Sequence, residues 1–408
     1  MRSLVLGIAF STLSAFGMSP IKALGETIDP AEIVQVVGEE LKIQEAPPNR
    51  HLGTRLAGVK SLKPLTGEPS YGPVRYALDP DSLVIRFNGR ILKEGKDYIL
   101  DHEFGTLGLG NASSIRPDDQ VLADYRYAKQ RIDSQIQLPD GRTIIRKGKS
   151  RISEPPIPEL LPDEKRLANI YVPAFSDGTD AVFLPVLKTP DQIQTATQAG
   201  MIPKTMKKIQ AGMPVRVTCW GDSVTVGADV GDSARNSFVS LLQQRLNEKF
   251  PSADITVNRV AVGGSTSTAW LDGTRAGCDF NRVITPKPDL VVIEFLNDAR
   301  TITTKEAFLR IYTEILDRLT PTEAEIIFIT PNYSMFDWPD IRGKDERPYI
   351  GYLRDFAAEH NIAVADASAR WENLWQEGIP WPSLLGTINH PNAGGHILYA
   401  EELIKCFK

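Results

Sequence analysis

The chain has 408 residues, a formal net charge of −5, and 42% apolar and 24% charged residues. That length exceeds one ordinary domain and the composition is that of a folded protein, so two domains are expected and long disorder is excluded. The charge balance leaves no basic surface of the kind that binds nucleic acid.

The first residues read as a targeting segment. Met1 and Arg2 give a positive start, Ser3 to Met18 is an uncharged and mostly apolar run, and the small residues Ala23 and Gly25 precede Glu26. This is the layout of a secretory signal peptide over residues 1–25, cleaved near Gly25. A secreted or periplasmic product with no stable membrane insertion is expected, because the apolar run is too short to span a bilayer comfortably.

Residues 26–150 are expected to form a β-rich accessory domain. From Ser82 to Ile132 short alternating runs are broken by turn signals, with Asn88-Gly89 as a hairpin signal and Tyr125 and Tyr127 alternating as strand residues do. No cluster of His, Asp or Cys there would carry chemistry, so a structural or spacer role is expected, with sugar binding as the alternative. Ser153 to Asp163 is proline-rich, and residues 151–212 read as linker and connecting segments.

From Met213 to the end (residues 213–408) strands and helices alternate. The segments PVRVTCW, DITVNRVAV, DLVVIEFL, AEIIFIT and IAVADA read as buried strands. Ser233–Phe250, Lys305–Leu319, Pro348–Glu359 and Gly395–Phe407 read as helices. Val/Ile runs separated by helices predict an α/β domain with a parallel sheet covered on both faces. Ligands in such sheets sit beyond the C-terminal strand ends.

The residues that follow those strands carry the chemistry. Gly221-Asp222-Ser223-Val224-Thr225 follows the first, Gly263-Gly264-Ser265 the second and Asn297-Asp298 the third; Asn389-His390-Pro391-Asn392 precedes the last helix. A serine becomes a nucleophile when a base takes its proton, and His390 is the well-placed histidine. His51, His102, His360 and His396 are expected to be structural.

In this order the blocks resemble those of the SGNH, or GDSL, hydrolase family, over roughly Val215 to Phe407. The resemblance implies a flavodoxin-like, three-layer parallel-sheet domain and a serine esterase that forms an acyl-serine intermediate. It implies Ser223 as nucleophile, His390 as base, and an oxyanion hole made by the Ser223 and Gly264 backbone N–H groups and the Asn297 side-chain amide. No cofactor or metal is implied. A leading β-domain is similar to the arrangement in some carbohydrate esterases of this superfamily, so an O-acetyl ester on a small molecule or polysaccharide is the expected substrate; an acyltransferase would use the same residues.

Two positions depart from the family pattern. Phe295 stands where the third block usually has glycine, which is expected to narrow the pocket or shift the backbone. Thr387 and Gly386 stand where an aspartate usually precedes the histidine. The expectation is a Ser–His dyad with His390 held by Thr387 or a backbone carbonyl; substitution by an acid such as Asp298, or an impaired site, are the alternatives. Two other function classes follow from the same residues. One is a metal-dependent phosphoesterase using Asp222, Asn297, Asp298 and His390, although the D-x-H and paired-His motifs are absent. The other is a carbohydrate-binding protein with a decayed site. Cys219, Cys278 and Cys406 match no zinc pattern; one disulfide with a free thiol, or three buried thiols, are both open.

Overall fold

The computed structural model describes residues 27–49, 52–62, 69–335 and 340–408. The expected signal segment 1–25 and His51 lie outside the described residues. The chain forms two compact units, one comprising residues up to Ser61, Tyr71–Lys188 and Trp375–Ser383, the other Leu62–Ser70, Thr189–Leu374 and Leu384–Lys408.

The first unit is antiparallel β. Strands β1 (Ile33–Lys42), β2 (Leu78–Phe87), β3 (Arg90–Ile91) and β4 (Gln120–Ala128) make a sheet in the order β1-β4-β2-β3. Asn88 and Gly89, at φ 48° and 77°, close the β2–β3 hairpin, where two successive left-handed residues match the twist of the strands. The period-2 alternation sends Val121, Ala123 and Tyr125 inward with Leu41 and Ile85. The Tyr125 hydroxyl accepts the Gly58 N–H at 2.9 Å, which satisfies a polar tip inside that core.

A second sheet corrects the linker reading of residues 151–212. It contains β5 (Arg131–Gln137), β6 (Thr143–Arg146), β7 (Lys165–Val172) and β8 (Val182–Pro185), in the order β6-β5-β7-β8. The proline-rich stretch is irregular, but it joins two strands of one sheet. Polar residues such as Arg166 and Asn169, both of which hydrogen-bond Ser134 or its neighbours, hide β7 in the sequence. Residues 375–383 also belong here: Val186 bridges Glu377, Leu187 N donates to Gln376 O at 2.7 Å, and Asn169 Nδ2 donates to Gly378 O at 2.6 Å.

The second unit holds a parallel sheet of β9 (Val215–Gly221), β10 (Ile255–Ala261), β11 (Leu290–Glu294), β12 (Glu325–Ile329) and β13 (Ala363–Ala365), in the order β10-β9-β11-β12-β13. All five predicted strands are present. Alternate residues feed two cores: Val217, Cys219, Leu290 and Val292 face one side, Trp220, Val291 and Ile293 the other. Both faces are apolar, and that is why these strands read as unbroken Val/Ile runs. Helices α1 (Phe238–Lys249) and α4 (Ala393–Lys405) cover the first face, and α2 (Lys305–Leu319) and α3 (Pro348–Glu359) the second. The single helix predicted over 233–250 is corrected to two pieces. Ser237 takes an extended conformation and caps α1 through the Ser240 N–H, a serine preference for caps over helix interiors. Cys219, Cys278 and Cys406 are free and buried, so the disulfide alternative falls away.

The strand order reverses direction between β9 and its neighbours β10 and β11. This switch point opens a crevice at their C-terminal ends, where Ser223, Gly263-Gly264 and Asn297 emerge.

Candidate active site

Ser223 sits at the first position of a single helical turn, Ser223–Val226, that follows β9 directly. Asp222 caps the turn: its Oδ1 accepts the Val224 N–H at 3.0 Å, and its Oδ2 accepts the Asn297 N–H at 2.9 Å. One carboxylate therefore fixes both the serine turn and the third block. Asn297 is held from its other end by Ser265 O, which takes an N–H of its side-chain amide at 2.9 Å. The amide carries a second hydrogen beyond that bond. A Cβ placed on Gly263 would stand 3.9 Å from Ser223 Cβ, so the second block lies against the serine. Gly264 has φ 69°, a conformation that L side chains rarely adopt.

His390 lies on a pinned loop. Leu385 bridges Pro391, Gly386 N donates to His390 O at 2.8 Å, and Asn392 N donates to Leu384 O at 2.9 Å. Met335 N holds the neighbouring Ile388 O at 2.8 Å. The imidazole Nε2 is 2.8 Å from Ser223 Oγ, with both residues more than nine-tenths buried.

The acid that meets His390 is Asp229. Its Oδ2 lies 2.6 Å from His390 Nδ1 and also accepts the Thr387 hydroxyl at 3.0 Å. An ionised carboxylate only accepts, so Nδ1 carries the proton and Nε2 is left as the acceptor facing Ser223. This corrects the expected dyad: Thr387 touches the acid, and the acid touches the histidine. Asp298, the alternative acid, is engaged elsewhere, accepting the Ser267 N–H at 2.9 Å and the Tyr312 hydroxyl at 3.1 Å. Sequence reasoning misses Asp229 because the family pattern points to positions just before the histidine, and this acid follows the serine instead. A local signal exists: Asp229 lies between Gly227 and Gly231 and takes φ 61°, a left-handed turn conformation that Asp tolerates better than most residues.

Phe295 does not narrow the site. It is buried beneath it, edge-on to Trp220 at 5.1 Å between ring centroids, in an aromatic cluster with Trp270 and Phe280. The reading of a decayed site rested on Phe295 and Thr387, and each has a constructive place. His396, fully buried, accepts the Phe238 N–H through Nδ1 at 3.0 Å, and burial pushes its pKa down to about 3.

Three buried carboxyls sit under the serine turn. Burial raises Asp222 to about 6, Asp298 to about 7, and Glu294 well above the usual range, with repulsion from Asp222 adding to the last. A raised folded-state value means the folded protein binds the extra proton, so this stability is present below about pH 4 and is lost as pH rises through about 7. Asp298→Asn is therefore expected to gain stability relative to the parent between pH 5 and pH 8. Urea unfolding midpoints measured across that range check it; parallel curves would contradict it. Among the described residues no group of three or more His, Cys, Asp or Glu side chains is arranged to hold a metal ion.

Residues 219–398 match the model of the GDSL-like Lipase/Acylhydrolase family. This part of the chain is a GDSL-like hydrolase domain. Apart from Trp375–Ser383 the match falls on the parallel-sheet unit, and a β-rich region precedes it. Among solved structures, a two-domain esterase active on acetylated mannans aligns at 18% identity over 52% of this chain and 53% of that chain, with a TM-score of 0.42. The chain thus spans about half the length of that esterase. AlAXEase, an acetyl xylan esterase, aligns at 19% identity over 47% of this chain and 98% of that one, with a TM-score of 0.38. A catalytic mutant of Axe2, an acetylxylan esterase from Geobacillus stearothermophilus, gives 19%, 48% and 95% with a TM-score of 0.38. Comparison with curated protein sequences gives no match. Among the described residues no helix is long and apolar enough to cross a membrane.

Proposed function

We propose that the protein is an exported serine esterase that removes O-acetyl groups from carbohydrate through an acyl-serine intermediate. The observation that carries the serine mechanism is the continuous relay from Ser223 Oγ through His390 to Asp229, at 2.8 Å and 2.6 Å. His390 Nε2 takes the proton of Ser223 as Oγ bonds to the ester carbonyl carbon. The resulting oxyanion is received by the Ser223 and Gly264 N–H groups and the second hydrogen of the Asn297 amide, each such donor being worth about 3–4 kcal/mol. The protonated His390 then gives its proton to the leaving alcohol oxygen. Water, deprotonated by His390, attacks the acetyl-serine, and acetate leaves as Ser223 regains its proton.

The carbohydrate acetyl ester as substrate rests on the resemblance, which joins a β-rich unit to such a hydrolase domain, and on the polar rim formed by exposed Gly263, Gly264 and Arg275. The purified protein is expected to release acetate from acetylated xylan or glucomannan at a rate unchanged by a chelator. Acetate release that a chelator abolishes and that survives Ser223→Ala would replace the serine mechanism by a metal-dependent one, and no release from any ester would end the esterase reading.

A further inference from the structure

We infer that Arg275 is a specificity residue that directs the site toward esters carrying a carboxylate. The inference rests on the esterase reading and deepens it. Gly263 and Gly264 present their Cα faces to different neighbours: a Cβ on Gly263 would stand 3.9 Å from Ser223 Cβ, and one on Gly264 would stand 3.0 Å from Arg275 Nη2, 3.5 Å from Cζ and 3.8 Å from Nη1. Three atoms of the guanidinium thus lie along the face of Gly264, the neighbour of the glycine that packs on the nucleophile. Glycine at 264 makes room for that cation as well as allowing the positive φ.

The loop that presents Arg275 is built rather than loose. Gly273 and Gly277, at φ 63° and 83°, bracket it; Cys278 N donates to Arg275 O at 2.9 Å, and Arg282 Nη1 donates to Gly277 O. A Cβ on Gly277 would stand 3.4 Å from Val262, so the loop seats on the residue that joins β10 to the glycine block. The side chain is exposed, and among the described residues no hydrogen bond or ion pair is assigned to it. An unpaired guanidinium on a held loop at the rim of an ester site offers two parallel N–H bonds to a carboxylate, a geometry that an ammonium does not reproduce.

The carboxylate can reside on the alcohol side, as in an acetylated uronate, or on the acyl side, as in a dicarboxylic half-ester. Two matched pairs separate these sources: acetylated oligogalacturonate against its methyl ester, and 4-nitrophenyl hemiglutarate against 4-nitrophenyl valerate. The parent enzyme is expected to favour the charged member of one pair by about tenfold in kcat/KM, mainly through KM, with the preference shrinking at high salt. Arg275→Gln is expected to erase the preference by lowering kcat/KM on the charged member of the pair, and Arg275→Lys to restore part of it. Absence of preference in the parent, or an equal loss on charged and neutral esters in Arg275→Gln, would overturn the inference. Failure of the parent enzyme on every ester, the neutral ones included, would overturn the esterase reading and this inference with it.

Discussion

Replacing Asp229 by asparagine is expected to lower kcat by about 10⁴-fold with the fold intact, the size of effect an orienting carboxylate has when its loss leaves the histidine in the wrong tautomer. The amide nitrogen of the introduced side chain would donate where the carboxylate accepts. Nδ1 of His390 would then become the acceptor, and Nε2 would carry the hydrogen and face Ser223 as a donor, unable to take its proton. Thr387→Val removes only one hydrogen bond to the acid and is expected to cost about tenfold or less, since a single such bond contributes about 0.5–1.5 kcal/mol. Asp298→Asn leaves the relay untouched. Steady-state kinetics of the three variants on 4-nitrophenyl acetate distinguish the arrangements. If Asp229→Asn loses no more activity than Thr387→Val, His390 works as a dyad after all.

Ser223→Ala is expected to produce the largest loss, on the order of 10⁶-fold in kcat, because serine and histidine act as a unit and removal of either disables both. KM should change little, since the oxyanion donors and the rim remain. The variant should also fail to form an adduct with a serine-directed phosphonate that modifies the parent stoichiometrically, as mass spectrometry of the peptide containing residue 223 would show. Retention of activity within tenfold of the parent would falsify the assignment of Ser223 as nucleophile.

Most of the hydrolase unit is legible in the chain. Buried parallel strands must be apolar on both faces, so β9 to β13 stand out as Val/Ile runs, and α2 and α3 begin and end at the residues their periodicity indicates. Ser223 and His390 are legible because each is fixed by its own neighbours in sequence, a strand end and a helix start. Asp229 is not, because its approach to His390 arises only when a left-handed turn after the serine meets a loop 161 residues away. Phe295 is legible as an exception but not as to its direction, since nothing local shows that a residue at a strand end turns down into Trp220. The strand β7 is obscured for a different reason: it buries polar side chains such as Asn169, which satisfies Ser134 and Gly378, so hydropathy under-reports it.

The nine residues Trp375–Ser383 belong to the β-rich unit although the chain on either side belongs to the hydrolase unit. The histidine loop begins at the very next residue, Leu384. The two units are therefore not beads that can be cut apart between Lys188 and Thr189. A hydrolase half expressed alone would carry an excursion stripped of Leu187, Lys188 and Asn169, its backbone partners, immediately ahead of the segment that delivers the base. The interlacing constrains exchange: a replacement β-rich unit would need to bring backbone partners for residues 375–383.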